Sequence, residues 1–186
     1  MSRLDALIRH YEHFVFLPWE RSLSGSQKVW FVVYNKEDER RLRTRIDEFE
    51  LATRRAGHSW QRIDLTDAFA RWMADNDYRE GYFEEPDYLD DMALEPFREL
   101  VCDRIRAALQ GSASDEESVV ALQGVACLFG FTRVSSLIQT VEADIRGRLL
   151  VFFPGEYADN NYRLLDARDG WNYRAVPITA HNSNGV

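Results

Sequence analysis

Two unbroken apolar runs, Val29–Tyr34 and Leu149–Phe153, constrain this chain more than any other feature of it. Both are rich in β-branched and aromatic residues and neither alternates with polar positions, so each reads as a strand buried on both faces. Such a strand must be covered on two sides, and helical patterns able to cover it recur along the chain. Leu4, Leu7, Ile8 and Tyr11 fall at helical spacing over 3–13, behind Ser2 as a competent N-cap. Asn35 can cap a second helix, with Leu42, Ile46 and Phe49 as its buried stripe and Gly57 as its end. Thr66 opens a third through Ala68, Phe69, Trp72 and Met73. A fourth begins near Pro96, and Phe97, Leu100, Val101, Arg104, Ile105 and Ala108 trace one face of it until Gly111. A flexible linker over 111–118 follows. Thr132 caps a fifth helix carrying Val134, Leu137, Ile138 and Val141.

Further strands are expected at Ser59–Leu65, at Gly124–Gly130 in the second half of the long apolar stretch 119–131, at Tyr162–Leu165 and at Asn172–Ile178. Pro154-Gly155 is expected to stop the strand that begins at Arg148. The alternation predicts one α/β domain over 1–180, a mostly parallel sheet flanked by helices, Rossmann-like or P-loop-like in layout. An acidic and aromatic insertion interrupts it near 75–95, and 181–186 form a polar tail.

The 186 residues are 45% apolar and 13% aromatic, enough for a substantial core. No apolar run approaches the ~20 residues of a spanning helix. Met1–Asp5 lacks the apolar core of a secretion signal. Cys102 and Cys127 sit in apolar patterns and read as core thiols of a reducing compartment. The expectation is a cytoplasmic protein without a membrane segment. Net charge is −8, from 31 acidic and 23 basic residues, which makes direct nucleic-acid binding a poor default. The charge is uneven. Arg40, Arg41, Arg43, Arg45, Arg54 and Arg55 crowd one segment while 84–91 is acidic, a polarity suited to a charged partner.

Catalytic patterns do not assemble. The turn after Val29–Tyr34 reads Asn35-Lys36-Glu37-Asp38, without the glycines of a phosphate cradle, and the turn at Gly130-Phe131-Thr132-Arg133 has only one. No cofactor is expected. His10 and His13 share a helical face but read as surface histidines, and no Cys-x-x-Cys accompanies them. No Gly-x-Ser-x-Gly occurs, and Ser135 and Ser136 read as first-turn residues of a helix. Asp64, at a strand end, is the single acid placed where α/β enzymes keep catalytic groups, though a capping role suits it as well.

The C-terminal block is more specific. Leu149-Leu-Val-Phe-Phe-Pro-Gly-Glu-Tyr, then Asn161-Tyr-Arg-Leu-Leu-Asp, then Trp171-Asn-Tyr-Arg-Ala-Val-Pro-Ile resembles the closing pattern of the BrxB family of BREX (bacteriophage exclusion) islands. The N-terminal half agrees more loosely, through Trp30-Phe-Val-Val-Tyr and Ile63-Asp64-Leu65, so the likeness runs roughly from the first strand to Ile178. Arg168–Trp171 departs from the family pattern, as in a divergent branch. The resemblance implies a non-enzymatic subunit of an anti-phage complex, bound to a PglZ-type, alkaline-phosphatase-like partner and through it to a large ATPase and a DNA methyltransferase. It carries no catalytic residues over.

Partner-binding candidates are Arg40, Arg41 and Arg45 on the basic segment, Tyr82 in the insertion, and Glu156, Tyr157, Arg163, Trp171 and Arg174 in the C-terminal block. Asn160 and Asn161 accompany them at the sheet's carboxyl edge. Arg163 and Arg174 could instead lock the loop by pairing with Asp166 or Asp169. A second function class stays open, a degenerate nucleotide-binding or metal-dependent nuclease-like enzyme using Asp64 and the loop at Glu156. A third is direct DNA binding through the Arg40–Arg55 helix.

Overall fold

The computed structural model describes residues 2–167 and 170–181. Helix α1 (Arg3–Val15) begins at the predicted cap. Ser2 Oγ accepts the Asp5 amide at 3.1 Å, and the Asp5 carboxylate accepts the Ser2 amide at 2.8 Å, so two otherwise orphaned donors are satisfied reciprocally. Strand β1 (Val29–Tyr34) is buried at every position. The single helix expected after it is two, α2 (Glu39–Arg43) and α3 (Ile46–Arg55). Thr44 marks the break, where its hydroxyl donates back to the Arg41 carbonyl at 2.8 Å and offers the backbone an alternative to helix. Gly57, at φ +89°, closes α3. Strand β2 (Ser59–Asp64), helices α4 (Ala68–Ala74), α5 (Arg79–Glu84) and α6 (Glu95–Gln110), strand β3 (Ser118–Gln123) and helix α7 (Val134–Val141) follow. The chain ends through β4 (Arg148–Ala158), β5 (Asn161–Leu164), β6 (Trp171–Asn172) and β7 (Val176–Ile178).

Five strands lie side by side in the order β2-β3-β4-β1-β7, every neighbour parallel. β5 extends the far end of β4 antiparallel, and β6 pairs with β5. Side chains of β1 and β4 alternate between two cores, as a strand's period of two requires. Phe31, Val33, Val151 and Phe153 face one core, closed by α6 and α7 through Phe97, Val101, Ile105, Leu137 and Ile138. Trp30, Val32, Leu150 and Phe152 face the other, closed by α1 and α3 through Leu7, Tyr11, Ile46 and Phe49. The α/β class with helices on both faces is as the sequence predicts.

Four local expectations need correction. The strand in the 119–131 stretch occupies its beginning, at β3, and Val125–Leu128 is a 3-10 turn. Gly124 separates the two at φ +79°, packed so tightly that a Cβ would lie 2.6 Å from the Thr66 amide nitrogen. Thr132 does not cap α7; the helix starts one residue later, after Arg133, and the Thr132 hydroxyl is buried without a partner among the described residues. The buried stripe of α6 runs through Cys102 and Leu109, while Leu100 and Arg104 face solvent.

The fourth correction matters most. Pro154-Gly155 does not stop β4, which continues four residues further as one arm of a hairpin. By Pro154 the ladder to β3 has already ended, at Val151, so a missing N–H is tolerated there. Gly155 lets β5 close against the strand, since a Cβ would lie 2.0 Å from the Arg163 carbonyl oxygen. Asp159 and Asn160 both take positive φ, 51° and 60°, the requirement of a two-residue type I′ hairpin. The last predicted strand is likewise divided into β6 and β7. Beyond His181 the polar tail lies outside the described residues, as do Arg168 and Asp169 of the linker.

Gly155→Ala therefore forces β5 away from β4 and lowers stability by about 1–3 kcal/mol, the usual cost of overpacking. The urea midpoint measures it, and an unchanged midpoint contradicts the hairpin register.

Candidate functional site

At the carboxyl end of the parallel sheet the chain leaves β1 over one face, towards α2 and α3, and leaves β4 over the other, through the β4–β5 hairpin. Diverging exits of adjacent strands open a crevice. Here it encloses about 450 Å³ between the β1 exit (Val33–Lys36), the overrun of β4 (Gly155–Ala158), the start of α1 at Arg3, and His181. Lys36 from the β1 exit makes an ion pair with Asp166 after β5, so the two diverging segments are tied across it. Leu165 stands beside that pair at φ 51°, a left-handed conformation that costs a branched residue about 1–2 kcal/mol. Its amide donates to the Pro154 carbonyl at 2.9 Å, which holds the turn. Deeper in the wall, burial and then the hydrogen bond donated to Glu39 push the Tyr34 hydroxyl far above the usual phenol range.

The structure gathers some predicted residues here and disperses others. Glu156 and Tyr157 line the crevice; Tyr157 packs its ring 4.7 Å from Tyr162, and its hydroxyl contacts the Asn160 side chain at 3.1 Å. Arg163 is exposed on β5, directly opposite Glu156 in register. Arg174 is exposed beyond β6. The locking partner Asp166 is taken by Lys36, so Arg163 and Arg174 make no ion pair with it; Asp169 lies outside the described residues. Trp171 looks the other way, lining a wider groove of about 1430 Å³ with Phe129, Phe131 and Arg133. Its ring stacks on Tyr173 at 4.7 Å, and its Nε1 is buried without a partner among the described residues.

The basic segment is mostly self-neutralised. Arg41 reaches Asp38 at 3.7 Å, Arg43 reaches Glu39 at 2.7 Å and Arg54 reaches Glu50 at 2.8 Å. Arg45 bonds Asp5 and Glu48, both at 2.6 Å. Arg40 stays exposed on α2. Tyr82, half-buried on α5, lines neither cavity.

Asp64 is spent as a turn cap. Its carboxylate accepts the Thr66 amide at 2.9 Å, the Thr66 hydroxyl at 2.5 Å and Gln123 Nε2 at 2.5 Å. Burial pushes this carboxyl up, but the Thr66 and Gln123 hydrogen bonds outweigh it and hold the group below its ordinary value. Of the other titratable candidates, His10 Nδ1 lies 2.7 Å from the Thr179 carbonyl and packs α1 against the end of β7. Among the described residues no three His, Cys, Asp or Glu side chains gather at metal-binding distance, and no helix is long and apolar enough to cross a membrane.

Sequence reasoning passes over two features. The Lys36–Asp166 pair joins residues 130 apart, beyond any local pattern. At the opposite edge of the sheet Arg148 is buried between Trp19 and Trp30, its guanidinium 4.8 and 5.6 Å from their rings. It donates to the Glu20 and Gly147 carbonyls at 2.9 and 3.0 Å.

An open parallel sheet covered on both faces, with a crevice where its central strands part, defines a doubly wound α/β protein with a carboxyl-edge crevice. Residues 63–178, more than half of the chain, match the family described as BREX protein BrxB, and the chain belongs to the BrxB family. It is accordingly a component of a BREX anti-phage system. The match opens at Ile63, in β2, so β1 lies outside it, although the likeness was expected to begin there. No curated protein and no solved structure matches the chain.

A carboxylate with a depressed pKa stabilises the fold above the ordinary carboxylate range and stops doing so as pH falls through its own titration. Asp64→Asn should thus lower the urea midpoint at neutral pH, with the gap to the unsubstituted protein narrowing as the solution is acidified. A gap independent of pH contradicts the capping role.

Proposed function

We propose that the chain is a non-enzymatic adaptor of a cytoplasmic BREX complex, docking a PglZ-type, alkaline-phosphatase-like subunit at the sheet's carboxyl edge. Through that subunit it joins a large ATPase and a DNA methyltransferase. The observation that carries the reading is how the ionisable groups at that edge are used. Lys36 and Asp166 neutralise one another, and Asp64 is consumed by Thr66 and Gln123. Groups held this way shape a surface and have no free valence for proton transfer.

The hairpin then presents Glu156 and Arg163 outward, Tyr157 is half-buried against Tyr162 with Trp171 in the layer behind, and Arg174 flanks it. Arg and Tyr in such a setting are the residue types that dominate protein interfaces. Asp38 lines the crevice and Arg41 reaches it at 3.7 Å, while Arg40 is exposed on the same helix as Arg41, and both are proposed as partner contacts flanking that edge. Pairing within α2 and α3 leaves too little free positive charge for that segment to hold DNA unaided.

Co-expression of the tagged chain with the phosphatase-like subunit of its own island should give a stoichiometric complex. Arg163→Glu with Arg174→Glu should reduce its recovery at least about tenfold at unchanged melting temperature. Full recovery of the complex by that variant contradicts the docking edge. Metal-dependent hydrolysis by the purified chain, abolished in Asp64→Ala, would establish the enzyme reading in its place.

A further inference from the structure

Residues 75–95 carry nine acidic side chains and a single basic one, Arg79, a net of −8 that equals the net charge of the whole chain. All other segments together are balanced. Only three of these acids have a cation beside them, Glu80 by Arg79, and Asp91 and Glu95 by Arg98. Asp75, Asp77, Glu84, Glu85, Asp87 and Asp90 have none among the described residues.

The same stretch holds out large apolar side chains. Tyr78, Phe83, Tyr88 and Met92 are 73%, 64%, 68% and 85% exposed. This is not a loose strand of chain. Arg79 donates to the Ala74 carbonyl at 2.5 Å, α5 packs on the 3-10 turn Pro86–Tyr88, and Arg98 bonds both the backbone and the side chain of Asp91 at 3.1 and 2.6 Å. Leu89 and Leu94 anchor the far end in the core. A well-anchored element that keeps four large apolar groups in water marks an interaction site.

From this we infer that α5 and the 86–92 turn form a second docking surface, separate from the carboxyl edge, for an arginine- and lysine-rich face of another protein subunit. Guanidinium groups both pair with carboxylates and lie on aromatic faces, so one basic surface satisfies the two kinds of exposed group together. A second copy of this chain is the poorer complement, because four of the six arginines in its own cluster, Arg41, Arg43, Arg45 and Arg54, already pair with Asp38, Glu39, Asp5, Glu48 and Glu50. The inference rests on membership of a multi-subunit system and not on which subunit binds the carboxyl edge.

The test places a photo-crosslinking residue at Tyr88 in the full chain, co-expressed with the other subunits of its own BREX island. Crosslinks to Arg/Lys-rich peptides of a different subunit are expected. Their yield should fall at least about tenfold with Tyr78→Ser and Phe83→Ser together, and again with Glu84→Gln, Glu85→Gln and Asp87→Asn together. The substituted positions are all exposed, so folding is not at issue. No crosslink, crosslinks between copies of this chain, crosslinks to peptides without basic residues, or yields indifferent to both variants each overturn the inference. If the phosphatase-like subunit still co-purifies in those cases, the adaptor reading stands while this surface falls.

Discussion

The parallel pairing of β1 with β4 is the interaction on which everything else in this molecule depends. The register Val29↔Leu149 to Tyr34↔Pro154 places two fully apolar strands side by side at the centre of the sheet. Alternate residues then commit Phe31 and Phe153 to one core, and Trp30 and Phe152 to the other. Phe31 stacks on Phe153 at 5.2 Å and meets Tyr162 edge-on at 4.5 Å, while Phe152 meets Phe49 edge-on at 5.0 Å. Removing one such buried ring typically costs about 3–5 kcal/mol, a large share of a domain's stability. Because β4 overruns that pairing, its last residues are free to form the hairpin that walls the crevice. Core and candidate site are consecutive parts of one strand.

The two ends of this strand handle charge in opposite ways. At its start Arg148 is buried without a carboxylate ion pair among the described residues, and desolvation draws its pKa below the usual guanidinium value while Glu117 and Glu20 pull the other way. Two indole faces and two backbone carbonyls compensate. Trp19 also stacks on His58 at 3.6 Å, so one arginine ties the 16–28 connection to the sheet and to the turn before β2. At the carboxyl end the charges stay near solvent and pair across the crevice. The amino edge buries its charge, and the carboxyl edge keeps its charges at the surface.

Much of this architecture was legible because it is written in short-range patterns. The unbroken apolar runs gave β1 and the first part of β4, Ser2 gave the start of α1, and Gly57 its stop signal for α3. What escaped depends on contacts distant in sequence. Gly124 reads as an ordinary strand residue until Thr66 is known to press against it, and Pro154-Gly155 reads as a stop until β5 is seen to close there. The adjacent Asp159-Asn160 was the one local clue to that hairpin, two residues tolerant of left-handed backbone between Tyr157 and Tyr162. Of the candidate residues, Arg45 is suggested by composition alone, and its pairing with Asp5, forty residues away, is not legible in that pattern. Glu156 and Tyr157 do line a crevice, because the end of a parallel strand is a predictable place for one.

The family and the geometry together describe a BREX component whose central strands are held by a dense double core, and we propose that its outward edges carry its recognition. Amide hydrogen exchange, comparing the free chain with the chain in its assembled BREX complex, tests that division most directly. The account predicts added protection over 155–166 on the carboxyl-edge hairpin and over 78–92, with β1 and β3 slow to exchange in both states. Protection confined to α1 and α3, or none at either predicted surface, would contradict it.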